Sequence, residues 1–159
     1  MERGEVSKQK MTGQASPRWA FMQPFDIYAK DNSGAVYLHR LRIVQTPFFA
    51  IYLHDINLPD SDRDPHDHPW TFWSIVLRGG YTERVWRVTP GQRRMIDPVK
   101  HQTWRRFSAH KMGFNQAHMI DTIEPGTKTL IITGPRRKSW GFYPDAGVRY
   151  LDWKDYLDV

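Results

Sequence analysis

The segment from Asp62 to Trp70 carries the residues best suited to chemistry, because two of its histidines are separated by a single residue. Side chains two positions apart on a β-strand point to the same face. His66 and His68 would therefore project together and could reach one metal ion. The sequence has no cysteine, so such an ion would be held by histidine, carboxylate or water. The spacing predicts a metal site with His66 and His68 as ligands.

Other histidines and carboxylates in the chain could complete this ligand set. The favoured third imidazole is His118, because it lies on the apparent strand Phe114–Ile120 and strand residues continue from it towards a turn. His110 is the competing imidazole. Glu83 has the chemistry of a carboxylate ligand, but an exposed strand residue paired with an arginine is at least as good an interpretation. The residues alone leave these alternatives open.

Residues around the histidine pair indicate an apolar cavity and groups that steady the imidazoles. Continuing the strand alternation places Trp70, Phe72 and Ser74 on the same inward face as the two histidines. Asp64 precedes the pair by two residues, and Asp67 lies between its two members. Their carboxylates either accept hydrogen bonds from the histidines in the absence of a metal, or orient the imidazoles from behind a bound ion.

The histidine spacing resembles the first motif of the cupin family, which is His-x-His, three or four residues, Glu, six residues and Gly. His66 and His68 match the two histidines, and Gly79 matches the glycine. Phe72 stands at the glutamate position, and Asp60 stands where a further glycine is usual. The resemblance therefore implies a cupin metal site that lacks its usual acidic ligand.

The second cupin motif supplies one more histidine, and His118 is the residue that would match it. Most other positions of that motif differ: Gly113 stands where proline is usual, Asn115 where glycine is usual and Thr122 where asparagine is usual. The resemblance supports His118 as the third ligand.

A more specific resemblance covers most of the chain. It is to a group of small cupin-like (RmlC-like) proteins found in bacteriophages and some bacteria. The residues that carry it are His54, His66–Trp70, Gly79–Tyr81, Thr133–Arg136, Trp140–Phe142, Trp153 and Tyr156–Leu157. This resemblance implies a cupin fold and supports His118 again, but it implies no settled reaction.

Short strands separated by turn residues must position these side chains. The runs rich in strand-forming residues are Val36–Val44, Thr46–His54, Thr71–Leu77, Tyr81–Val88, Thr127–Thr133 and Ser139–Tyr143. Together they predict an all-β protein with a cupin-type antiparallel barrel, a double-stranded β-helix or jelly roll, over residues 18–159. We expect a disordered tail over residues 1–17, a long hairpin loop over Thr89–Thr103 and a short helix near Leu151–Leu157.

Composition restricts the partners of this chain of 159 residues. The formal net charge of +6 permits nucleic-acid binding, but the basic clusters are short and scattered, which favours basic loops. One cluster, Arg136, Arg137 and Lys138, follows a glycine and predicts either a solvated turn or an anion site. No apolar run is long enough to span a membrane, and the N-terminal residues lack an apolar signal core. We therefore expect a cytoplasmic protein, in the host cytoplasm if it is encoded by a phage.

Three function classes follow from these patterns. The leading one is a metal-binding cupin-like protein that holds one divalent ion (Fe, Mn, Ni or Zn) and acts as a non-haem Fe(II) dioxygenase on a small molecule. The competing one is a non-catalytic cupin that binds a sugar, nucleotide or metabolite, which the loss of the motif glutamate favours. The third is a phage accessory protein that acts on nucleic acid or a host factor. An open sheet edge would favour a homodimer.

Overall fold

Antiparallel strands account for most of the structure, a computed structural model that describes residues 19–31 and 33–157. The tail predicted for residues 1–17 lies outside the described residues. The strands are β1 (Ala20–Tyr28), β2 (Val36–Gln45), β3 (Ala50–Ile56), β4 (His66–Asp67), β5 (Phe72–Arg78), β6 (Gly80–Val88), β7 (Met95–Arg105), β8 (Ala109–Met112), β9 (Gln116–Ile123), β10 (Thr127–Thr133), β11 (Gly141–Phe142) and β12 (Leu151–Asp152).

The strands form two six-stranded sheets. The first has the order β1-β2-β3-β10-β5-β8, and the second has the order β12-β11-β4-β9-β6-β7. Every strand pairing in both sheets is antiparallel. Strands distant in sequence therefore lie side by side, such as β4 with β9 and β3 with β10.

Buried and exposed side chains alternate along the central strands, and the buried ones form the inner faces of the sheets. In β5, Phe72, Ser74 and Val76 are buried, whereas Trp73 between them is 49% exposed. The alternation predicted for the residues after the histidine pair is confirmed, because a strand with one face on the core and one in solvent must alternate.

The segment Thr89–Thr103 was expected to be a loop, and that expectation is wrong. Its second half belongs to β7, which pairs with β6 from Gly80 opposite Arg105 to Val88 opposite Met95. β7 is an edge strand with solvent-exposed side chains at every other position near its end. Its polar composition reflects this exposure and not an absence of strand structure.

The C-terminal helix α1 (Trp153–Leu157) confirms the short helix expected in this region. Its first residue stacks on Trp140, with ring centroids 5.8 Å apart and an interplanar angle of 5°. Tyr156 stacks on Phe142 of β11, so the helix packs against the strand that borders β4. Within residues 19–31 and 33–157, no helix is long and apolar enough to cross a membrane.

Candidate metal centre

Two neighbouring strands of the second sheet hold the three histidines. His66 opens β4 and lies directly opposite His118 of β9 in the antiparallel register. His68 follows immediately after β4, two positions beyond His66. Because cross-strand partners project to the same face of a sheet, the pairing brings His118 to the histidine pair.

The three imidazoles converge. One nitrogen from each of His66, His68 and His118 lies within 4.8 Å of the others, and the Nε2 atoms of His68 and His118 are 2.9 Å apart. The ring centroids are 4.7 to 5.2 Å apart. His118 is only 8% exposed, and the other two are half-buried. This arrangement could hold one metal ion, as the sequence predicts.

Glu83 stands behind His118 and outside the group of converging ligand atoms. Its Oε2 accepts a hydrogen bond from Nδ1 of His118 at 2.7 Å, and its Oε1 accepts one from Nε1 of Trp104 at 2.6 Å. The carboxylate is 1% exposed. Metal-binding histidines commonly donate their other ring N–H to a carboxylate in this way. The geometry thus gives Glu83 a positioning contact with His118 in place of a ligand contact.

His110 lies on the far side of Glu83 from His118. Its ring stacks on Trp104 with centroids 4.0 Å apart, and its Nε2 is 3.6 Å from Oε1 of Glu83. It is not part of the converging group formed by the described residues. Between the two imidazoles considered for the third position, the structure brings His118 to the pair.

Burial and the Glu83 carboxylate shift the pKa values of the three histidines in different directions. Burial lowers the pKa of His66 to about 3 and lowers the pKa of His68 well below its ordinary value. Burial also opposes protonation of His118, but the hydrogen bond and charge of Glu83 outweigh it and raise the pKa of His118. Two of the imidazoles are therefore neutral at pH 7, the form that binds metal ions.

Aromatic side chains surround the cluster. Phe72, at the position where the cupin motif has glutamate, sets its ring edge-on to His68 with centroids 4.9 Å apart. Trp70 packs against the core cluster that contains Phe72 and stacks on Tyr52 at 6.4 Å. Ser74, also inward-facing, lies 3.3 Å from the hydroxyl of Tyr81. Phe72 and Ser74, which the alternation predicts to face inward, are both buried.

Asp64 and Asp67 do not contact the imidazoles through any hydrogen bond of the described residues, so the role assigned to them from sequence is wrong. Asp67 is fully buried and accepts hydrogen bonds from the backbone N–H of Gly141 at 2.9 Å and the hydroxyl of Tyr143 at 2.8 Å. Asp64 accepts a hydrogen bond from the hydroxyl of Tyr156 at 2.9 Å. Strand alternation explains the result for Asp67, because the residue between His66 and His68 points to the opposite face.

The three basic residues of the turn after β10 differ in their contacts. Lys138 is not solvated as in an ordinary exposed turn, because it forms an ion pair with the buried carboxylate of Asp67. Arg136 and Arg137 are exposed, and the backbone N–H of Arg137 donates to the carbonyl oxygen of Pro69 at 2.7 Å. The turn therefore fastens the chain on both sides of His68.

The residues that sequence reasoning missed lie on the first sheet. Arg40 of β2 pairs in register with His54 of β3, and Arg42 pairs with Tyr52. Tyr52 is 3% exposed and belongs to the same core cluster as Phe72. The alternating run from His39 to Arg42 resembles an ordinary solvent-exposed strand face, and only the pairing with buried Tyr52 identifies the inner face.

The donor set fits a divalent ion. Three imidazoles without thiolates suit several first-row divalent metals. Nδ1 of His118 is bonded to Glu83, which leaves its Nε2 for the cluster, and Nδ1 of His66 is buried without a hydrogen-bond partner. A bound ion would satisfy nitrogen lone pairs that face one another at close range.

No family model matches the chain, and no curated protein matches it. Solved structures do match. KdgF from Halomonas sp. is 14% identical with a TM-score of 0.52, over 74% of this chain and 96% of that chain. An RmlC-like cupin from Shewanella frigidimarina NCIMB 400 is 12% identical with a TM-score of 0.50, over 77% of this chain and 95% of that chain.

A third similar structure is Fe(II)-HppE with its alternative substrate (S)-1-HPP. It is 15% identical with a TM-score of 0.51, over 71% of this chain and 55% of that chain. At such identities the likeness concerns the fold. The two antiparallel sheets, the short C-terminal helix and these structural neighbours together show that this chain has a cupin-type β-barrel fold.

Proposed function

We propose that this protein is a metal-dependent cupin in which His66, His68 and His118 bind one divalent ion. The observation that carries the proposal is the convergence of the three imidazole nitrogens within 4.8 Å. The hydrogen bond between Glu83 and Nδ1 of His118 supports it, because metal-binding histidines are commonly oriented in this way.

We further propose that the reaction is that of a non-haem Fe(II) dioxygenase acting on a small molecule. The ligand set has three imidazoles and no carboxylate, because Phe72 occupies the motif glutamate position. Three protein ligands leave coordination positions open for other molecules. When bound, Fe(II) at such a site supports reaction with O2, whereas any divalent ion there can polarise a carbonyl group. The Fe(II) named for HppE, a protein with a similar fold, supports this choice of metal.

The residues of this chain perform the remaining tasks. Glu83 fixes the ring of His118 and keeps its Nε2 directed towards His68. Phe72 and Trp70 exclude water from one side of the cluster, which strengthens electrostatic interactions there. Burial keeps His66 and His68 neutral at pH 7, so their nitrogens are ready to act as ligands.

A second candidate function is binding of a small ligand without turnover. The hydrogen bonds of Glu83 favour it, because both carboxylate oxygens are already engaged, by His118 and by Trp104. A carboxylate held in this way is poorly placed to accept a proton from a substrate. Under this proposal the metal ion and the barrel retain a ligand but do not transform it.

Metal analysis and oxygen consumption test the proposal together. The protein is purified without chelator, offered Fe(II), Mn(II), Ni(II) and Zn(II) in turn, and analysed for metal. We expect one ion per chain in the wild type and none in His66→Ala, with the exposed His101→Ala as the control that retains metal. A wild type that retains none of the four ions would contradict the metal site.

The Fe(II) form is then assayed for O2 uptake against a panel of small organic acids, phosphorylated metabolites and thiols. Substrate-dependent O2 uptake that is lost in His66→Ala supports the dioxygenase. Metal retention with ligand binding and no uptake across the panel favours the binding protein.

A further inference from the structure

Two arginines lie on the inner face of the first sheet, which faces the histidine-bearing sheet. Arg40 and Arg42 are two positions apart on β2 and so share one face of the strand. Their cross-strand partners on β3 are His54 and Tyr52. Because Tyr52 is 3% exposed and packs in the core, this face of β2 points into the barrel.

Aromatic rings hold both guanidinium groups. The Cζ atom of Arg40 is 5.4 Å from the ring centroid of Phe25 and 5.3 Å from that of Tyr52. The Cζ atom of Arg42 is 5.3 Å from Phe25 and 6.0 Å from Tyr52. A cation–π contact stabilises a guanidinium group beside an aromatic ring without using its N–H groups as hydrogen-bond donors.

No carboxylate neutralises these two cations among the ion pairs of the described residues. The nearby acidic residues of β1 and β3 are engaged elsewhere, since Asp26 bonds to His39 and Asp55 pairs with Lys128. His39 lies opposite Asp55, one position before the pair formed by Arg40 and His54. These two residues therefore lie on the outer face of the sheet.

The arginine Nε atoms lack partners as well. The Nε atoms of Arg40 and Arg42 are buried without a hydrogen-bond partner, and so is Nε2 of His54 beside them. Arg42 donates one hydrogen bond from its terminal nitrogen to Gln23 at 3.1 Å. Buried donors that carry charge are normally paired. This cluster has unused donors of a kind that an anionic group would satisfy.

Contacts connect this cluster to the histidine site. The Tyr52 ring lies 5.3 Å from Cζ of Arg40 and stacks on Trp70. Tyr52 also shares a core cluster with Phe72, whose ring is edge-on to His68. The arginines and the histidine cluster therefore line the same interior.

We propose that Arg40 and Arg42 bind the oxyanion of a small-molecule substrate, a carboxylate or phosphoryl group, while the rest of that molecule reaches the histidine cluster. The proposal rests on the proposed function and names its substrate class, a small organic anion. Two guanidinium groups can hold such a group through paired, charge-assisted hydrogen bonds. His54 beside them is neutral, because burial lowers its pKa well below the ordinary value.

Anion binding at low ionic strength tests the proposal. Metal-free and Mn(II)-loaded protein are titrated by calorimetry with inorganic phosphate, with succinate and with succinamide, its uncharged analogue. We expect phosphate or succinate to bind and succinamide not to bind, and the better of the two anions identifies the preferred oxyanion. Arg40→Gln and Arg42→Gln should each weaken binding by roughly tenfold or more, because each removes charge-assisted hydrogen bonds.

A control variant removes positive charge from a different part of the protein. Arg136→Gln combined with Arg137→Gln deletes two exposed cations and should leave anion affinity unchanged. Arg40→Lys retains the charge but loses the planar fork, so it should bind more weakly than the wild type and more tightly than Arg40→Gln. Arg40→Lys replaces Arg40→Gln in the titration if circular dichroism shows that Arg40→Gln does not fold.

The outcomes separate this inference from the proposed function. Metal content is measured in every variant, and the arginine variants should retain the ion. A metal-loaded wild type that binds neither anion, or an equal loss in the Arg136 and Arg137 control, overturns the inference alone. Binding that depends on Arg40 and Arg42 in a protein that takes up no metal overturns the proposed metal site and supports the anion site.

Discussion

The Oε2 atom of Glu83 lies 2.7 Å from Nδ1 of His118, and this contact joins β6 to the candidate ligand on β9. The same carboxylate accepts the indole N–H of Trp104 from β7. Burial by itself would raise the pKa of Glu83, but the hydrogen bonds and positive partners that face it lower the pKa. Glu83 is therefore a buried anion placed to orient one imidazole.

Replacing Glu83 with Gln should weaken metal binding by about 10- to 100-fold, a usual cost of losing a group that orients a metal-binding histidine. The amide has one acceptor oxygen for the two donors, His118 and Trp104. Competition between metal-loaded protein and a chromogenic chelator measures the affinity. Glu124→Gln, at an exposed turn, is the matched control. Unchanged affinity in Glu83→Gln would contradict the positioning role.

Changing His118 to Ala should abolish metal uptake, whereas His110→Gln should retain the ion. His110 stacks on Trp104 behind Glu83 and is not in the converging group. Because His110 is buried, its replacement is expected to lower the melting temperature while leaving the metal stoichiometry intact. Metal analysis after desalting reads the stoichiometry. Loss of metal in His110→Gln with retention in His118→Ala would reverse the assignment of the third ligand.

Phe72→Glu should restore the carboxylate that the cupin motif places at this position. Phe72 is buried against the ring of His68, so a carboxylate there would lie uncompensated in the metal-free protein and destabilise it. Added metal should then raise the melting temperature by more than it does in the wild type. Phe72→Leu controls for lost packing. An equal metal-induced shift in all three proteins would place residue 72 outside the reach of the ion.

Acid should destabilise the metal-free protein between pH 6.5 and about 3. The pKa of His66 is about 3 in the folded state against 6.5 as the ordinary value, so the unfolded chain binds the proton first as pH falls. The lowered pKa values of His68 and His54 act in the same direction. The raised pKa of His118 acts in the opposite direction, because its contribution is complete at low pH and is lost as pH rises.

Urea unfolding at pH 7 and pH 4.5 measures this effect. His66→Asn should reduce the difference between the two unfolding free energies, since the amide does not titrate. His101→Asn, at an exposed position, should leave the difference as it is in the wild type. A larger pH difference in His66→Asn than in the wild type would contradict a lowered pKa for His66.

Asp67→Asn should destabilise the fold by about 3 kcal/mol, because it leaves the Lys138 cation without its buried partner. Asp67 also accepts hydrogen bonds from Gly141 and Tyr143, which fastens β4 to β11 and so places His66. Denaturant unfolding of Asp67→Asn, Lys138→Met and the double variant forms a cycle. Additive losses in the double variant would show that the two residues do not interact.

Much of the fold followed from the sequence because strand alternation is a local property. The strands around Phe72 and Val85, where apolar and polar residues alternate, were predicted close to their observed bounds. The strand Met95–Arg105 was missed because it lies at a sheet edge, where solvent permits polar residues on its outer face. Alternation identifies half-buried strands, and it cannot separate a polar edge strand from a loop.

Spacing in the sequence predicts only those site residues that lie close together along the chain. The positions of His66 and His68 on one face follow from their separation, and the second cupin motif added His118. The contacts of Asp67 could not be predicted, because its partners lie on β11, far along the chain. Arg40 was overlooked for a similar reason, since only the register with β3 shows which face of β2 points inward.

The antiparallel pairing of His66 with His118 also bears on how quickly the protein folds and unfolds. His68 and His118 are 50 residues apart, and β4 is only two residues long, so local structure cannot hold these strands together. The cluster can form only after distant segments have met, which makes loop closure a late and slow event. A bound ion would then stabilise contacts absent from the folding transition state, and it should slow unfolding while leaving the refolding rate nearly unchanged.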